Sequence, residues 1–214
     1  FARPGVEVGA YGALYVLSWS HGYGSNLDNG KRTDAGRVYR IRHGASELTQ
    51  WQGGYRNNPI TQWSFEQLFA DLGSHVPAWR TDAQIEMLRR GEKSRSFLID
   101  KLQKDGLTKS EFTWSLWTLG RLAADDATIE KQLTSIADDA NAPVPKRVQA
   151  IRILAFRVRE FQRRATLPEG VVALLESDNA RIRHATVQAI WQAGQSRCVP
   201  QLLELADRET DRIV

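Results

Sequence analysis

The sequence predicts a mainly α fold: an α-solenoid of stacked helical hairpins, preceded by a short antiparallel β segment. Two observations carry this. Apolar residues alternate in strand fashion up to residue 43 and take a helical spacing from about Trp63 onward. Within the helical part, marker residues recur at spacings of 32, 35, 36 and 29 residues. Recurrence at that period signals hairpins that bury their apolar faces only against their neighbours.

In the β segment, residues 1–43, Val6 and Val8 face one way and Tyr11-Gly12 is set to turn. Residues 13–17, Ala-Leu-Tyr-Val-Leu, then run apolar and β-prone. Residues 18–36 read as one long polar loop, with four glycines plus Asn26, Asp28 and Asn29. Residues 37–42 return as a strand in which Val38, Tyr39 and Ile41 are framed by arginines. Three short strands leave most of their apolar area wet, so this segment is expected to pair with strands from elsewhere. Residues 44–62 read as a linker.

From 63 to 214 the apolar positions fall at helical intervals: Leu68 and Leu72, Ile85 and Leu88, Leu98 and Leu102. Further stripes run through Trp114, Trp117, Leu119 and Leu122, then Ile129, Leu133 and Ile136. The widest takes in Val148, Ile151, Leu154, Ala155 and Val158, ahead of Val171, Leu174, Leu175 and Val187, Ile190, Trp191. Breakers separate them at Gly73, Gly91, Gly106, Pro143, Pro168, Asn179, Gly194 and Pro200. That spacing predicts helices of about 10–16 residues joined by short turns. Arg80, Arg147, Arg183 and Arg212 each open the second helix of a hairpin, with Phe112 in the matching place of another. A small residue follows three along in four of the five: Ala83, Ser115, Ala150 and Thr186.

Composition bounds the function. The chain has 214 residues and 24.2 kDa, with 42% hydrophobic and 25% charged residues, a globular mixture that excludes whole-chain disorder. Mean hydropathy is −0.43, and no run approaches the roughly 18 apolar residues of a membrane span. A net charge of +4 and a pI near 9.4 do not by themselves imply nucleic acid. The single cysteine, Cys198, excludes a disulfide framework, a zinc cluster and a CxxCH haem attachment within these residues. Phe1 at the start, and residues 211–214 reading as the opening of a further helix, lead us to expect a piece of a longer polypeptide.

Two resemblances follow. Residues 171–185 and the phrase Trp79-Arg-Thr-Asp-Ala-Gln resemble HEAT repeats, covering 63–214 as about four and a half units. In that family an arginine or aspartate at the turn ties helix ends together, and the small residue lets the helices approach. Residues 12–20, Gly-Ala-Leu-Tyr-Val-Leu-Ser-Trp-Ser, and 36–41, Gly-Arg-Val-Tyr-Arg-Ile, look like the closing blade of a bacterial six-bladed propeller. Such blades occur in soluble quinoprotein sugar dehydrogenases and in sorbosone dehydrogenase-like proteins. The order of blade and then helical repeats is similar to a family of membrane-bound dehydrogenases, many of which end in a cytochrome c domain. Ser18 stands where that family usually has an aspartate before the tryptophan.

The resemblance implies an extracytoplasmic, membrane-associated parent, with pyrroloquinoline quinone or haem c held outside these residues. The implied partners are the rest of the propeller, from the same chain or another subunit, and a protein docked on the helical surface. The rival expectation is a non-catalytic scaffold whose β segment completes a partner's sheet by strand addition. A third is anion or nucleic-acid binding through an arginine-rich helix.

No triad, metal spacing or phosphate loop appears, so no catalytic residue and no metal ligand is assigned. Two groups remain. His21, Asp28, Lys31, Arg32 and Asp34 crowd the 18–36 loop, either as a ligand loop at a propeller channel mouth or as a solvated connector. Arg152, Arg159 and Arg163 share one helix face, either as a surface for an anionic partner or as a solvated face neutralised by Asp125, Asp126, Asp138 and Asp139. Trp114, Trp117 and Trp191 are expected in the core between repeats.

Overall fold

The computed structural model describes residues 5–8, 14–18, 27–28, 31–32, 37–41, 54–104, 106–122, 126–161, 166–211 and 214. These are mainly helical, with a small three-stranded antiparallel sheet, and the chain forms two compact units, Phe1–Glu86 and Met87–Val214.

In the first unit, β1 (Val6–Val8), β2 (Leu14–Ser18), β3 (Leu27–Asp28), β4 (Lys31–Arg32) and β5 (Arg37–Ile41) form two ladders. The larger sheet has the order β1-β2-β5, with Val6 opposite Val16, Val16 opposite Tyr39, and Leu14 opposite Ile41. Alternation along strands therefore gathers Val6, Leu14, Val16, Tyr39 and Ile41 on one face. Val6, Tyr39 and Ile41 are more than half exposed there. The 18–36 stretch is not one loop, because β3 and β4 pair within it, Leu27 with Arg32 and Asp28 with Lys31. The two residues between, Asn29 and Gly30, are the dipeptide that two-residue hairpins favour. The expected turn at Tyr11-Gly12 lies outside the described residues.

Residues 54–62 carry two 3-10 turns, Gly54–Asn57 and Ile60–Gln62. The helix α1 (Phe65–Leu72) starts at a reciprocal cap: the Gln67 amide donates to Ser64 Oγ at 3.2 Å, and the Ser64 amide to Gln67 Oε1 at 2.7 Å. Leu68, Phe69 and Leu72 turn inward from it. Beside them Arg56 Nη1 donates to the buried Asp71 Oδ2 at 2.6 Å, with its guanidinium 3.4 Å from the centre of the Trp79 ring. A delocalised cation stacked on indole and forked onto a carboxylate suits this site as lysine would not. In α2 (Pro77–Arg90) the buried line runs Trp79, Ala83, Met87, at intervals of four, and Ile85 is exposed instead of buried.

The second unit contains α3 (Glu92–Leu102), α4 (Lys109–Arg121), α5 (Ala127–Asp138), α6 (Val144–Glu160), α7 (Glu169–Ala173), α8 (Ala180–Gln192) and α9 (Val199–Arg208). Starts are capped by Thr108 with Glu111, by Asp126 and by Asn179, and Gly106 and Gly194 turn the chain at positive φ. Pro200 is no break; it sits in the first turn of α9, where its missing amide is not needed. The helix α6 packs against α4, α5 and α8, and its Ile151, Ile153, Leu154 and Ala155 are fully buried or nearly so. Each such large aliphatic side chain contributes about 1.5–3 kcal/mol of transfer free energy.

The recurring arginines have a common task. Arg147 Nε donates to Ala137 O at 2.9 Å, and Arg183 Nη1 to Ser177 O at 2.8 Å. Arg80 Nη1 does the same to Ser74 O at 2.5 Å in the first unit. Each cation thus satisfies a carbonyl at the end of the preceding helical segment, where the backbone dipole favours positive charge. The fourth, Arg212, lies outside the described residues. Ala83, Ser115, Ala150 and Thr186 are all fully buried. Gly120 of α4 sits close against α6, where an added Cβ would meet Ile153 Cγ2 at 2.2 Å.

Candidate functional site

Two α6 arginines outside the expected face, Arg147 and Arg157, are buried by packing. Arg157 is 1% exposed and donates through Nη1 to Gly120 O at 2.9 Å and Leu122 O at 3.0 Å, holding the carbonyl end of α4. Arg147 is likewise committed to α5. Arg159 pairs with Glu160 at 3.0 Å, and Arg163 lies outside the described residues. Asp126 does not neutralise α6; it caps α5 and pairs with Arg95. Burial alone would raise the Asp126 carboxyl, but the bonds from Arg95 and from the Thr128 and Ile129 amides outweigh this and lower it. Asp125 is outside the described residues.

Arg152 is exposed, as Arg159 is, and makes no hydrogen bond or ion pair among the described residues. It lines a cavity of about 280 Å³ between α6 and α8, with Val148, Arg181, His184, Ala185 and Asp211. Arg181 is also exposed and unpaired among the described residues, in the first turn of α8. The Nδ1 atom of His184 is buried without a hydrogen-bond partner. Asp211 is brought to this rim by its neighbour. Glu209 accepts from Arg183 at 2.6 and 2.7 Å and from the Asp211 amide at 2.9 Å. Those bonds, the Arg183 one foremost, lower the Glu209 carboxyl to about 2.

Arg181, His184, Gln188 and Trp191 are spaced three, four and three apart, hence on one face of α8. Trp191 is 82% exposed, contrary to the core position expected for it. Trp114 and Trp117 are half-buried. Trp117 Nε1 donates to Gln149 Oε1 of α6 at 2.9 Å, and its ring meets Phe156 edge-on at 5.8 Å. The helices α4, α6 and α8 thus share a surface bearing indoles, a phenyl ring and guanidiniums. Sequence reading passed over Arg181 and His184, although their 3-4-3 spacing with Trp191 was the available signal.

The loop group falls partly outside the described residues. His21 and Asp34 lie outside the described residues, and Asp28, Lys31 and Arg32 belong to the β3–β4 ladder, with Asp28 paired to Lys31. Among the described residues, no group of three or more His, Cys, Asp or Glu side chains is placed to hold a metal ion, and no helix is long and apolar enough to cross a membrane. Cys198 is buried and free. No protein-family model matches the chain, and no curated protein or solved structure matches it either.

Proposed function

We propose that this chain is part of an extracytoplasmic, membrane-associated, sugar dehydrogenase-like protein of the quinoprotein type, whose helices are HEAT-type repeats that dock a protein partner on the α4–α6–α8 face. The observation behind the docking role is Trp191, 82% exposed on the face of α8 that also carries Arg181, further along the helix from the cavity lined by Arg152 and Arg181. Exposed tryptophan with arginine is the composition that dominates binding energy at protein interfaces. The repeat reading is supported by the arginine ties, by the buried small residue three along, and by contacts of α6 with α4, α5 and α8. Stacked hairpins of this kind offer long surfaces for partners.

The enzymatic part rests on resemblance, which does not fix chemistry. It draws support from the sheet β1-β2-β5, one strand short of a four-stranded blade and carrying an open apolar face. The reading assigns pyrroloquinoline quinone or haem c to the parent's other blades. The same open face and the edges β1 and β5 favour the second reading, a non-catalytic scaffold that completes a partner's sheet. Anion or nucleic-acid binding through Arg152, Arg159 and Arg163 is the third reading, and it gains nothing from Arg147 and Arg157, which are buried.

A photo-crosslinking residue at position 191 of the natural full-length polypeptide, in its own cells, tests the docking role. A discrete crosslinked partner is expected at 191 and not at exposed Lys131 of α5; equal yields at both would refute it. Dye-linked sugar oxidation after reconstitution with pyrroloquinoline quinone tests the enzymatic part, and an inactive, colourless protein leaves the scaffold reading.

A further inference from the structure

The docking reading leaves open what the partner presents. Resting on it, we propose that the α6–α8 cavity binds a carboxylate from an acidic peptide segment of the partner. His184 lines the cavity with Arg152 and Arg181, and its enclosed Nδ1 has no hydrogen-bond partner among the described residues. A carboxylate entering the cavity meets two guanidiniums, Arg152 and Arg181, neither of which makes an ion pair among the described residues. Val148 and Ala185 supply apolar wall, which strengthens charge-assisted hydrogen bonds by thinning the competing water.

Charge selects the ligand class. The lining holds two guanidiniums and one carboxylate, Asp211, an excess of one positive charge that a single further carboxylate neutralises. A phosphate dianion would leave the site net negative. Size agrees, since about 280 Å³ lies below the roughly 300–1,000 Å³ of drug-sized ligand sites and suits one side chain. Trp191 stands seven residues beyond His184 on the same face of α8, about 10 Å along the axis. Three residues of extended peptide cover that distance. The fitting segment therefore carries an acidic residue in the cavity and an apolar residue three positions away, against the indole.

The probe is an end-capped peptide with one glutamate and a leucine three residues on, titrated into the whole chain while the His184 imidazole and Trp191 indole resonances are followed by NMR. Both are expected to shift saturably and together. Glutamine in place of the glutamate abolishes the His184 shift, and alanine in place of the leucine spares it while weakening the Trp191 shift. Arg152→Gln and Arg181→Gln each weaken binding by about tenfold, whereas Arg159→Gln, outside the cavity, leaves it unchanged. Both substituted side chains are exposed, and Arg152→Lys, which keeps the charge, recovers part of the loss. Equal binding of the glutamine peptide, of acetate or of inorganic phosphate would overturn the proposal, as would an equal loss in Arg159→Gln. A crosslink at 191 with no peptide shift overturns the pocket and spares the docking role. A saturable peptide shift with no crosslink supports the pocket and overturns the docking role.

Discussion

Gly120→Ala tests how closely α4 and α6 are packed. The new methyl carbon would lie 2.2 Å from Ile153 Cγ2, against about 3.5–4 Å for a relaxed carbon contact. Ile153 is fully buried on a helix, and β-branched side chains there hold one χ1 rotamer about 90% of the time, so Cγ2 has nowhere to swing. Either the helices part by more than an ångström or Ile153 leaves its rotamer. Overpacking of this kind costs about 1–3 kcal/mol, and the better helix propensity of alanine returns at most about 1 kcal/mol. The expected net loss is about 1 kcal/mol and up to about 2, read from urea unfolding followed by tryptophan fluorescence and far-ultraviolet dichroism. A second background makes the test sharp. Ile153→Ala alone should cost about 2–5 kcal/mol, and adding Gly120→Ala to it should be neutral or stabilising, because the methyl then fills vacated space. Simple additivity of the two, or a Gly120→Ala protein more stable than the parent, would refute the close approach.

Two further outcomes are expected. Glu209 titrates near 2 when folded, because Arg183 and the Asp211 and Thr210 amides bind its charged form, against 4.5 for a free glutamate. A depressed folded value means its contribution is whole above about pH 4.5 and fades as pH falls toward 2; Glu209→Gln should flatten that part of the urea-midpoint profile, and an unchanged slope would remove the pair from the account. Thr108→Ala breaks the reciprocal cap with Glu111 at the start of α4 and should cost about 0.5–2 kcal/mol. Hydrogen exchange should then quicken first in residues 109–112, and uniform quickening would point elsewhere.

The helices were legible because their breakers are chemically explicit: Gly106 and Gly194 at positive φ, Asn179 and Thr108 as caps. Helix faces were less so. On α6, which packs against three neighbouring helices, Arg152 lines a cavity and Arg159 pairs with Glu160, while Arg147 and Arg157, off the expected face, are spent on carbonyl ties. Burial of Arg157 depends on carbonyls 35 and 37 residues away, which periodicity does not encode. Trp191 failed in the other direction: size and hydrophobicity argue for the core, while its position on α8 turns it to solvent. The cavity joins α6, α8 and Asp211 across sixty residues, a conjunction that only packing creates.

Arg80, Arg147 and Arg183 reach back only 6, 10 and 6 residues. Fastenings over so short a stretch close small loops at little entropic cost. Each such tie is local and needs only the segment it closes to be in place. Melting of one hairpin then need not undo the clasp of another.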